Sequence, residues 1–337
     1  MSEMYDNKQR KAYFKKDNNL EEALRELNDL ISKVKETDEI FEPQMPIILL
    51  MGCPRAGSTV FLQWLATLGI FSYPSNLIAR FYKNPHLGIL AQQSLLELDP
   101  LNQLGFNSTK IEYSSNLGKT MGALSPSEYW YFWREYFKFG DISILNKKEL
   151  ETVDAKKFIS EICSFERLTG KPLVMKGMLL NWHIPYLYTI NKNFIFIDIK
   201  REDFFNAQSL LFAREKFFGS REKWYSFKPQ EYDFLKNVDP IEQVAGQVIY
   251  TRRAVENGLA EVPDSNKMSI AYNDFCQTPF RVLDQIKAKY KELGFELNTD
   301  DVNEKLLEPF KNSNLIRLST VDSNSLRKEL SKFNSNN

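Results

Sequence analysis

Residues 52–59 have the residue types and the spacing of a loop that binds phosphate. The loop reads Gly-Cys-Pro-Arg-Ala-Gly-Ser-Thr, with glycines at 52 and 57 and a threonine at its end, as in a P-loop. Ser58 stands where a P-loop has the lysine that contacts the β- and γ-phosphates of ATP or GTP, and Arg55 is the cation of the loop. Backbone amides and a helix N-terminus can still bind an anion here, so we expect a ligand other than a nucleoside triphosphate.

A second candidate anion site begins at Arg201. This residue follows the strand-like run 194–199, which is apolar except for Asp198, and Ser209 comes two helical turns later. Ligands of open α/β sheets bind at the carboxyl ends of strands, and a guanidinium with a nearby hydroxyl suits a phosphate. Taken alone, Arg201 is better explained by a salt bridge with the adjoining Glu202 or Asp203. Only the combination with loop 52–59 favours a phosphate site.

The two motifs together resemble those of the sulfotransferase family. Residues 52–59 are similar to its 5′-phosphosulfate loop, P-[KR]-S-G-T-T, and Arg201 with Ser209 to its 3′-phosphate motif, R-x-P-x-D-x-x-x-S. Residues 171–176 resemble its K-x-P strand end, and the resemblance spans residues 45–290. The chain departs from these motifs where Ala56 replaces a serine, Glu202 an asparagine or aspartate, Asp203 a proline and Phe205 an aspartate.

This resemblance implies a donor, which is 3′-phosphoadenosine 5′-phosphosulfate (PAPS). The product would be adenosine 3′,5′-bisphosphate (PAP), and no metal would be required. The residues expected at the 5′-phosphosulfate are Arg55, Ala56, Gly57, Ser58 and Thr59, with Arg55 also stabilising the leaving phosphate. Arg201 and Ser209 would bind the 3′-phosphate, which ATP lacks. Trp224 and Tyr225 are candidates for the adenine by their position, although core packing explains them equally well.

The identity of the general base stays open at the level of sequence. Some relatives have a histidine two residues after the strand-end lysine, but here Met178 follows Lys176 at that spacing. Lys176 is a candidate for contact with the sulfuryl oxygens. Glu128, at the start of an aromatic-rich segment, is the preferred candidate for the base. His183 is the fallback.

The acceptor would be a small molecule or glycan with a hydroxyl or amine. We expect the long loop 101–124 and an aromatic helix at 127–139 to line its site, and rings of this kind stack well on carbohydrate. Two alternatives remain. One is a P-loop nucleotide kinase or NTPase, for which the loop lacks its lysine and Asp198 is the nearest match to a metal-binding strand aspartate. The other is a nucleotide-binding relative that has lost catalysis.

Strand-like runs alternate with helical periodicity along the chain. Runs at 46–51, 172–176, 193–199 and 268–271 predict strands. Helices are predicted at 19–31, 60–68, 77–97, from 126 onward, 155–168, 181–190, 203–218, 240–259 and 280–293. This order predicts an α/β fold of three layers, α/β/α, with a mostly parallel central sheet and a P-loop NTPase-like topology. We expect one domain over 19–332, a loosely ordered N-terminus at 1–18 and a polar tail at 333–337.

The composition of the chain argues against several other classes of protein. Of 337 residues, 44 are Lys or Arg and 44 are Asp or Glu, so no net charge attracts nucleic acid or an anionic membrane. Three separated cysteines and two histidines match neither a zinc site nor a disulfide framework. The N-terminus is polar without a signal-peptide core, and no apolar run is long enough to span a bilayer. These features predict a cytoplasmic protein, and its oligomeric state cannot be read from the sequence.

Overall fold

A parallel sheet of four strands lies at the centre of the protein. The computed structural model describes residues 6–34, 40–99, 101, 103–106, 111, 113 and 115–335. The strands are β1 Ile47–Gly52, β2 Ser115–Asn116, β3 Lys119–Thr120, β4 Val174–Lys176, β5 Phe194–Lys200 and β6 Lys267–Ala271. The central sheet has the order β4-β1-β5-β6 with every pairing parallel, and β2 and β3 form a separate antiparallel hairpin.

Helices account for most of the remaining ordered chain. The α-helices are α1 Asn18–Ile31, α2 Ser58–Thr67, α3 Pro85–Gln92, α4 Trp130–Tyr136, α5 Lys147–Glu151, α6 Ala155–Thr169, α7 Ile184–Ile190, α8 Asp203–Phe218, α9 Tyr232–Leu235, α10 Pro240–Ala260, α11 Tyr272–Gln277, α12 Pro279–Glu292 and α13 Thr320–Ser335. Among these residues, no helix combines the length and the apolar character needed to cross a bilayer.

The sheet separates two hydrophobic cores. Side chains alternate between the two faces of a strand, so Ile48 and Leu50 of β1 pack with α2, α8 and α10, whereas Leu49 and Met51 pack with α4, α6 and α7. Every residue of β1 is buried, as expected for a parallel strand covered on both faces. The predicted fold class is therefore confirmed: three layers around a parallel sheet, with the P-loop-like strand β1 in its interior.

Some predicted helices have different limits in the structure. The helix expected from Pro126 begins only at Trp130, because Tyr129 has a left-handed backbone with φ of 55°. Ser127 accepts a hydrogen bond from the Tyr129 amide instead of capping a helix. The helix expected at 181–190 is a 3₁₀ turn, Met178–His183, followed by α7. The helix expected at 77–97 divides into a 3₁₀ turn, α3 and a π turn.

Described residues close to both ends of the chain pack on the rest of the fold. Phe14 is buried against Phe217, whose carbonyl accepts a hydrogen bond from the Lys11 amide. The expected polar tail begins inside α13, where Phe333 is buried and packs on Tyr250. Residues 1–5 and 336–337, like several positions of the expected loop 101–124, lie outside the described residues. The described end of that loop carries the hairpin β2–β3.

Candidate active site

The turn between β1 and α2 has the backbone shape of an anion-binding loop. Arg55 and Gly57 both have positive φ, at 71° and 107°, and α2 begins at Ser58. A Cβ on Gly57 would lie 2.5 Å from the Tyr272 ring. Glycine is therefore required here both because of its positive φ and because a side chain has no room. Ala56 is buried beneath the turn. The amides at the start of α2 are therefore free of intrahelical partners and face a cleft, as in a phosphate loop.

Arg55, in the phosphate loop, forms hydrogen bonds with both residues of the second motif, Ser209 and Arg201. Its Nε donates to Ser209 Oγ at 3.2 Å, and its carbonyl accepts from Arg201 Nη1 at 3.2 Å. Its two terminal nitrogens have no hydrogen-bond partner among the described residues. The structure thus brings the loop cation, Arg201 and Ser209 together, and two N–H-bearing nitrogens of Arg55 stay available to a ligand.

Arg201 lies just beyond the end of β5 in a largely enclosed position. Its Nε donates to Asn314 Oδ1 at 2.7 Å, and its Nη2 donates to the carbonyl and the hydroxyl of Ser313, both at 3.2 Å. The guanidinium also lies 5.2 Å from the centre of the Tyr272 ring. Burial lowers the pKa of Arg201, and the like charge of Arg55 acts in the same direction. An anion at this position would offset both effects.

Lys176 connects the phosphate loop to a carboxylate. Its Nζ donates to Thr59 Oγ1 at 2.8 Å and to Glu128 Oε1 at 2.7 Å. The Lys176 side chain is only 5% exposed, whereas Glu128 is 35% exposed and so remains accessible from the cleft. The other oxygen of Glu128 accepts from Trp130 Nε1 at 2.7 Å. An ammonium therefore lies between the start of α2 and a fixed, accessible carboxylate.

These groups line one cleft with a volume of about 240 Å³. Gly118 of the β2–β3 hairpin closes over it, since a Cβ there would lie 3.0 Å from Glu128 Oε1. The lining residues are Pro54, Arg55, Gly57, Ser58, Thr59, Val60, Ser115, Leu117, Gly118, Glu128, Trp130, Trp133, Lys176, Met178, Leu179, Arg201, Tyr225, Ser226, Phe227, Tyr272 and Ser313.

Several predicted site residues lie elsewhere. His183 is buried outside the cleft, where its Nε2 accepts from the Leu145 amide at 3.0 Å, and burial lowers its pKa to about 4. Trp224 is buried in the core under the Arg214 guanidinium. Asp198 is also buried, and it is not among the residues that line the cleft. Tyr225 does line the cleft, but its hydroxyl donates to the Leu117 carbonyl at 2.9 Å.

The structure adds residues that the sequence analysis did not select. Tyr272 packs on Gly57 and Arg201, and its signal was its position at the end of a predicted strand. Trp130 orients Glu128 from two residues away, which the aromatic run did not reveal. Ser313 belongs to an irregular segment without periodicity, and no pattern pointed to it. Within the described ranges, no group of three or more His, Cys, Asp or Glu residues is placed to bind a metal ion.

Comparisons with known proteins give a limited result. No family model and no curated protein matches the chain. Among solved structures, it resembles a sulfotransferase from Mycobacterium avium at 13% identity and a TM-score of 0.47, over 93% of this chain and 72% of that one. A sulfotransferase from Mycobacterium tuberculosis H37Rv gives 13% and 0.47 over 93% and 81%. One from Alicyclobacillus acidocaldarius gives 11% and 0.43 over 86% and 92%. Identities and TM-scores at this level show a likeness of structure and do not assign a function.

Proposed function

We propose that the protein transfers a sulfuryl group from PAPS to a hydroxyl or amine of an acceptor. The observation that carries this proposal is the position of Lys176, which contacts Thr59 at the phosphate loop and Glu128 on the opposite side. Such a transfer reaction needs a stabilised leaving phosphate, a cation near the transferred group and a base near the acceptor. Thr59 would stabilise the leaving phosphate, Lys176 is the cation, and Glu128 is the base.

The donor end of the cleft suits a nucleotide with two separate anionic groups. Backbone amides at the start of α2 and the free nitrogens of Arg55 would hold the 5′-phosphate and its sulfuryl group. Arg201, beside Ser209 and Arg55, would hold the 3′-phosphate by its charge and by the one N–H, on Nη1, that its contacts within the protein leave over. ATP has a bare 3′-hydroxyl at this position. The arrangement therefore favours PAPS over ATP.

The proposed chemistry needs little beyond positioning. The acceptor oxygen attacks sulfur, and the bond between sulfur and the phosphate oxygen breaks, leaving its electron pair on the bisphosphate. The acceptor proton goes to Glu128. Hydrogen bonds from Trp130 and from Lys176 hold this carboxylate in place. Lys176 would stabilise the oxygens of the sulfuryl group, and Arg55 and Thr59 the charge that develops on the phosphate.

Calorimetric titration tests the donor site directly. We expect PAP to bind more tightly than AMP, because only PAP carries the 3′-phosphate. Arg201→Gln should weaken PAP binding about 10- to 100-fold, as expected for a lost charged hydrogen-bond donor, and should barely change AMP binding. Arg281→Gln is the matched control, because Arg281 is an exposed side chain on α12 and should leave both affinities unchanged.

Two results would contradict the proposal. Equal affinity for PAP and AMP would show that the 3′-phosphate makes no contact of its own. An Arg201→Gln variant that loses PAP and AMP affinity in equal measure would place Arg201 away from the 3′-phosphate. Thermal unfolding of each variant verifies that it is folded under the titration conditions.

A further inference from the structure

We propose that two buried asparagines, Asn206 and Asn181, are positioning residues that orient the backbone of the phosphate loop toward the donor. Their contacts with the loop turn the Arg55 amide toward the cleft, where it would bind the 5′-phosphate. This inference rests on the proposed donor site and adds residues that neither sequence motif specifies.

The first part of the phosphate loop is a type II β-turn with an unusual residue at its third position. The Ala56 amide donates to the Cys53 carbonyl at 3.3 Å, which closes the turn. Pro54 is its second residue, and Arg55, with φ of 71°, is its third. A positive φ after a proline defines type II, and glycine or asparagine is usual at that position. An arginine in this conformation needs contacts that hold it there.

Asn206 supplies such a contact at the peptide group between Pro54 and Arg55. Its Nδ2 donates to the Pro54 carbonyl at 2.6 Å, and Asn206, on α8, is only 1% exposed. Type I and type II turns differ in the orientation of this peptide group, so a carbonyl held against α8 selects type II. In a trans peptide the next N–H points the opposite way, and the Arg55 N–H therefore points away from Asn206.

This orientation leaves the Arg55 N–H available to a ligand. Pro54 and Arg55 both line the cleft, and no hydrogen bond within the described part of the chain uses the Arg55 N–H. The Arg55 carbonyl accepts from Arg201 Nη1 at 3.2 Å, so the peptide groups on both sides of the Arg55 Cα are fixed. The N–H would join the amides at the start of α2 around the 5′-phosphate.

Asn181 fixes the point at which the loop leaves β1. Its Nδ2 donates to the Gly52 carbonyl at 2.9 Å, and its Oδ1 accepts from the Gly52 amide at 3.1 Å. Asn181 is fully buried, and its carboxamide takes the place of a backbone partner for both groups of Gly52. The two asparagines thus hold the loop at Gly52 and at Pro54 before any ligand binds.

A third buried asparagine has the same kind of contacts away from the cleft. Asn266 is 3% exposed, and its Nδ2 donates to the carbonyls of Lys192 and Phe194 at 2.6 and 2.9 Å, at the amino end of β5. It is not among the residues that line the cleft. Asn266→Ala therefore serves as the matched control, because it removes a buried carboxamide and its bonds to carbonyls without touching the loop.

Three ligands test the role of Asn206 in calorimetric titrations. They are PAP, AMP and adenosine 3′-phosphate, of which only the first two carry a 5′-phosphate. We expect Asn206→Ala to weaken PAP and AMP binding by the same factor, at least about tenfold, and to leave the affinity for adenosine 3′-phosphate unchanged. Asn181→Ala should give the same pattern. Asn266→Ala should lower the free energy of unfolding and change none of the three affinities.

A measurement on the wild type requires no folded variant of Asn206 or Asn181. The NMR signal of the Arg55 amide can be followed in protein labelled with ¹⁵N-arginine and identified by its absence from Arg55→Lys. We expect AMP to shift this signal downfield, because the N–H donates to the 5′-phosphate. Adenosine 3′-phosphate should leave it in place.

The outcomes separate this inference from the proposed function. The inference is overturned by a folded Asn206→Ala variant with unchanged AMP affinity, by an equal loss of all three ligands, or by an Arg55 amide that AMP does not shift. In each of these cases tight PAP binding by the wild type would preserve the donor site. Failure of the wild type to bind PAP would overturn the proposed function itself.

Discussion

At the scale of single residues, Glu128 is the group whose orientation matters most for the proposed transfer. One of its oxygens bonds to Lys176 and the other to Trp130, so neither oxygen turns freely. A general base acts only when it lies within hydrogen-bond reach of the proton that it accepts. The indole of Trp130 therefore positions the base, and Lys176 adds a charge to the same site.

Replacing Trp130 by phenylalanine tests whether its N–H positions Glu128 or whether its ring only packs against its neighbours. The Trp130→Phe variant keeps an aromatic ring and loses the N–H donor to Glu128. We expect kcat to fall about tenfold, in line with the loss of one hydrogen bond to a charged group, while PAP affinity stays the same. Steady-state kinetics with a verified acceptor, together with a PAP titration, would measure this.

A second tryptophan provides the control for that variant. Trp64 Nε1 donates to the Leu306 carbonyl at 2.8 Å, in the core rather than in the cleft. Trp64→Phe removes the same type of donor and should lower the free energy of unfolding without changing kcat. If both variants reduced kcat equally, Trp130 would have only a structural role.

At the scale of elements, the parallel strands explain why the site residues converge. The carboxyl ends of β1, β4 and β5 meet at one edge of the sheet, and these strands lead into the phosphate loop, Lys176 and Arg201. The sequence predicted this convergence because the buried strands are mostly apolar runs, and α8 was predicted with the limits Asp203–Phe218 that the structure has. Prediction failed where local backbone geometry decides the outcome, as at Tyr129, since periodicity carries no information on a left-handed residue.

The turn between β1 and α2 depends on the contact between Gly57 and Tyr272. An alanine at 57 would place its Cβ 2.5 Å from the Tyr272 ring and would require a backbone φ of 107°. We expect Gly57→Ala to displace the ring or the turn and to weaken PAP binding at least about tenfold, because amides shifted by a fraction of an ångström no longer converge on a phosphate. Calorimetric titration of the folded variant would detect the loss.

A substitution at Gly294 tests the effect of backbone strain in the absence of a steric contact. Gly294 also has positive φ, at 84°, but nothing lies within 4 Å of the position that its Cβ would take. Gly294→Ala should cost about 1 kcal/mol of stability through strain and leave PAP affinity unchanged. Recovery of PAP binding when Tyr272→Leu is added to Gly57→Ala would identify the ring as the cause, and an unchanged affinity in Gly57→Ala alone would contradict the prediction.

At the scale of the whole molecule, described residues close to the C-terminus help to hold a residue of the cleft. Helix α13 packs on α8 and α10, and Ser313 and Asn314, a few residues before it, bond to Arg201. The sequence predicts a polar tail only at residues 333–337 and no helix after residue 293, so α13 is an element that local patterns missed. Long-range contacts of this kind depend on the completed core, which local patterns do not describe.

Two buried titratable groups outside the cleft have opposite effects on stability. Burial lowers the pKa of His183 from its ordinary 6.5 to about 4, and it raises the pKa of Asp198 from 3.8 to about 6. Between pH 4 and 6.5 the unfolded chain binds the His183 proton and the folded chain does not, so this residue makes stability rise with pH. The folded chain instead binds the Asp198 proton between pH 4 and 6, so Asp198 makes stability fall with pH. In the wild type the two contributions largely cancel.

Single replacements should expose each contribution. Relative to the wild type, Asp198→Asn should gain about 3 kcal/mol of unfolding free energy between pH 4 and pH 7, because a shift of one pKa unit corresponds to about 1.4 kcal/mol. His183→Gln, whose amide oxygen can still accept from the Leu145 amide, should lose a similar amount over the same range. Urea unfolding at pH 4, 5, 6 and 7 measures both slopes. Parallel curves for the two variants would mean that neither group changes its protonation on unfolding. Opposite changes of slope relative to the wild type follow directly from a buried histidine that stays neutral and a buried aspartate that stays protonated in this pH range.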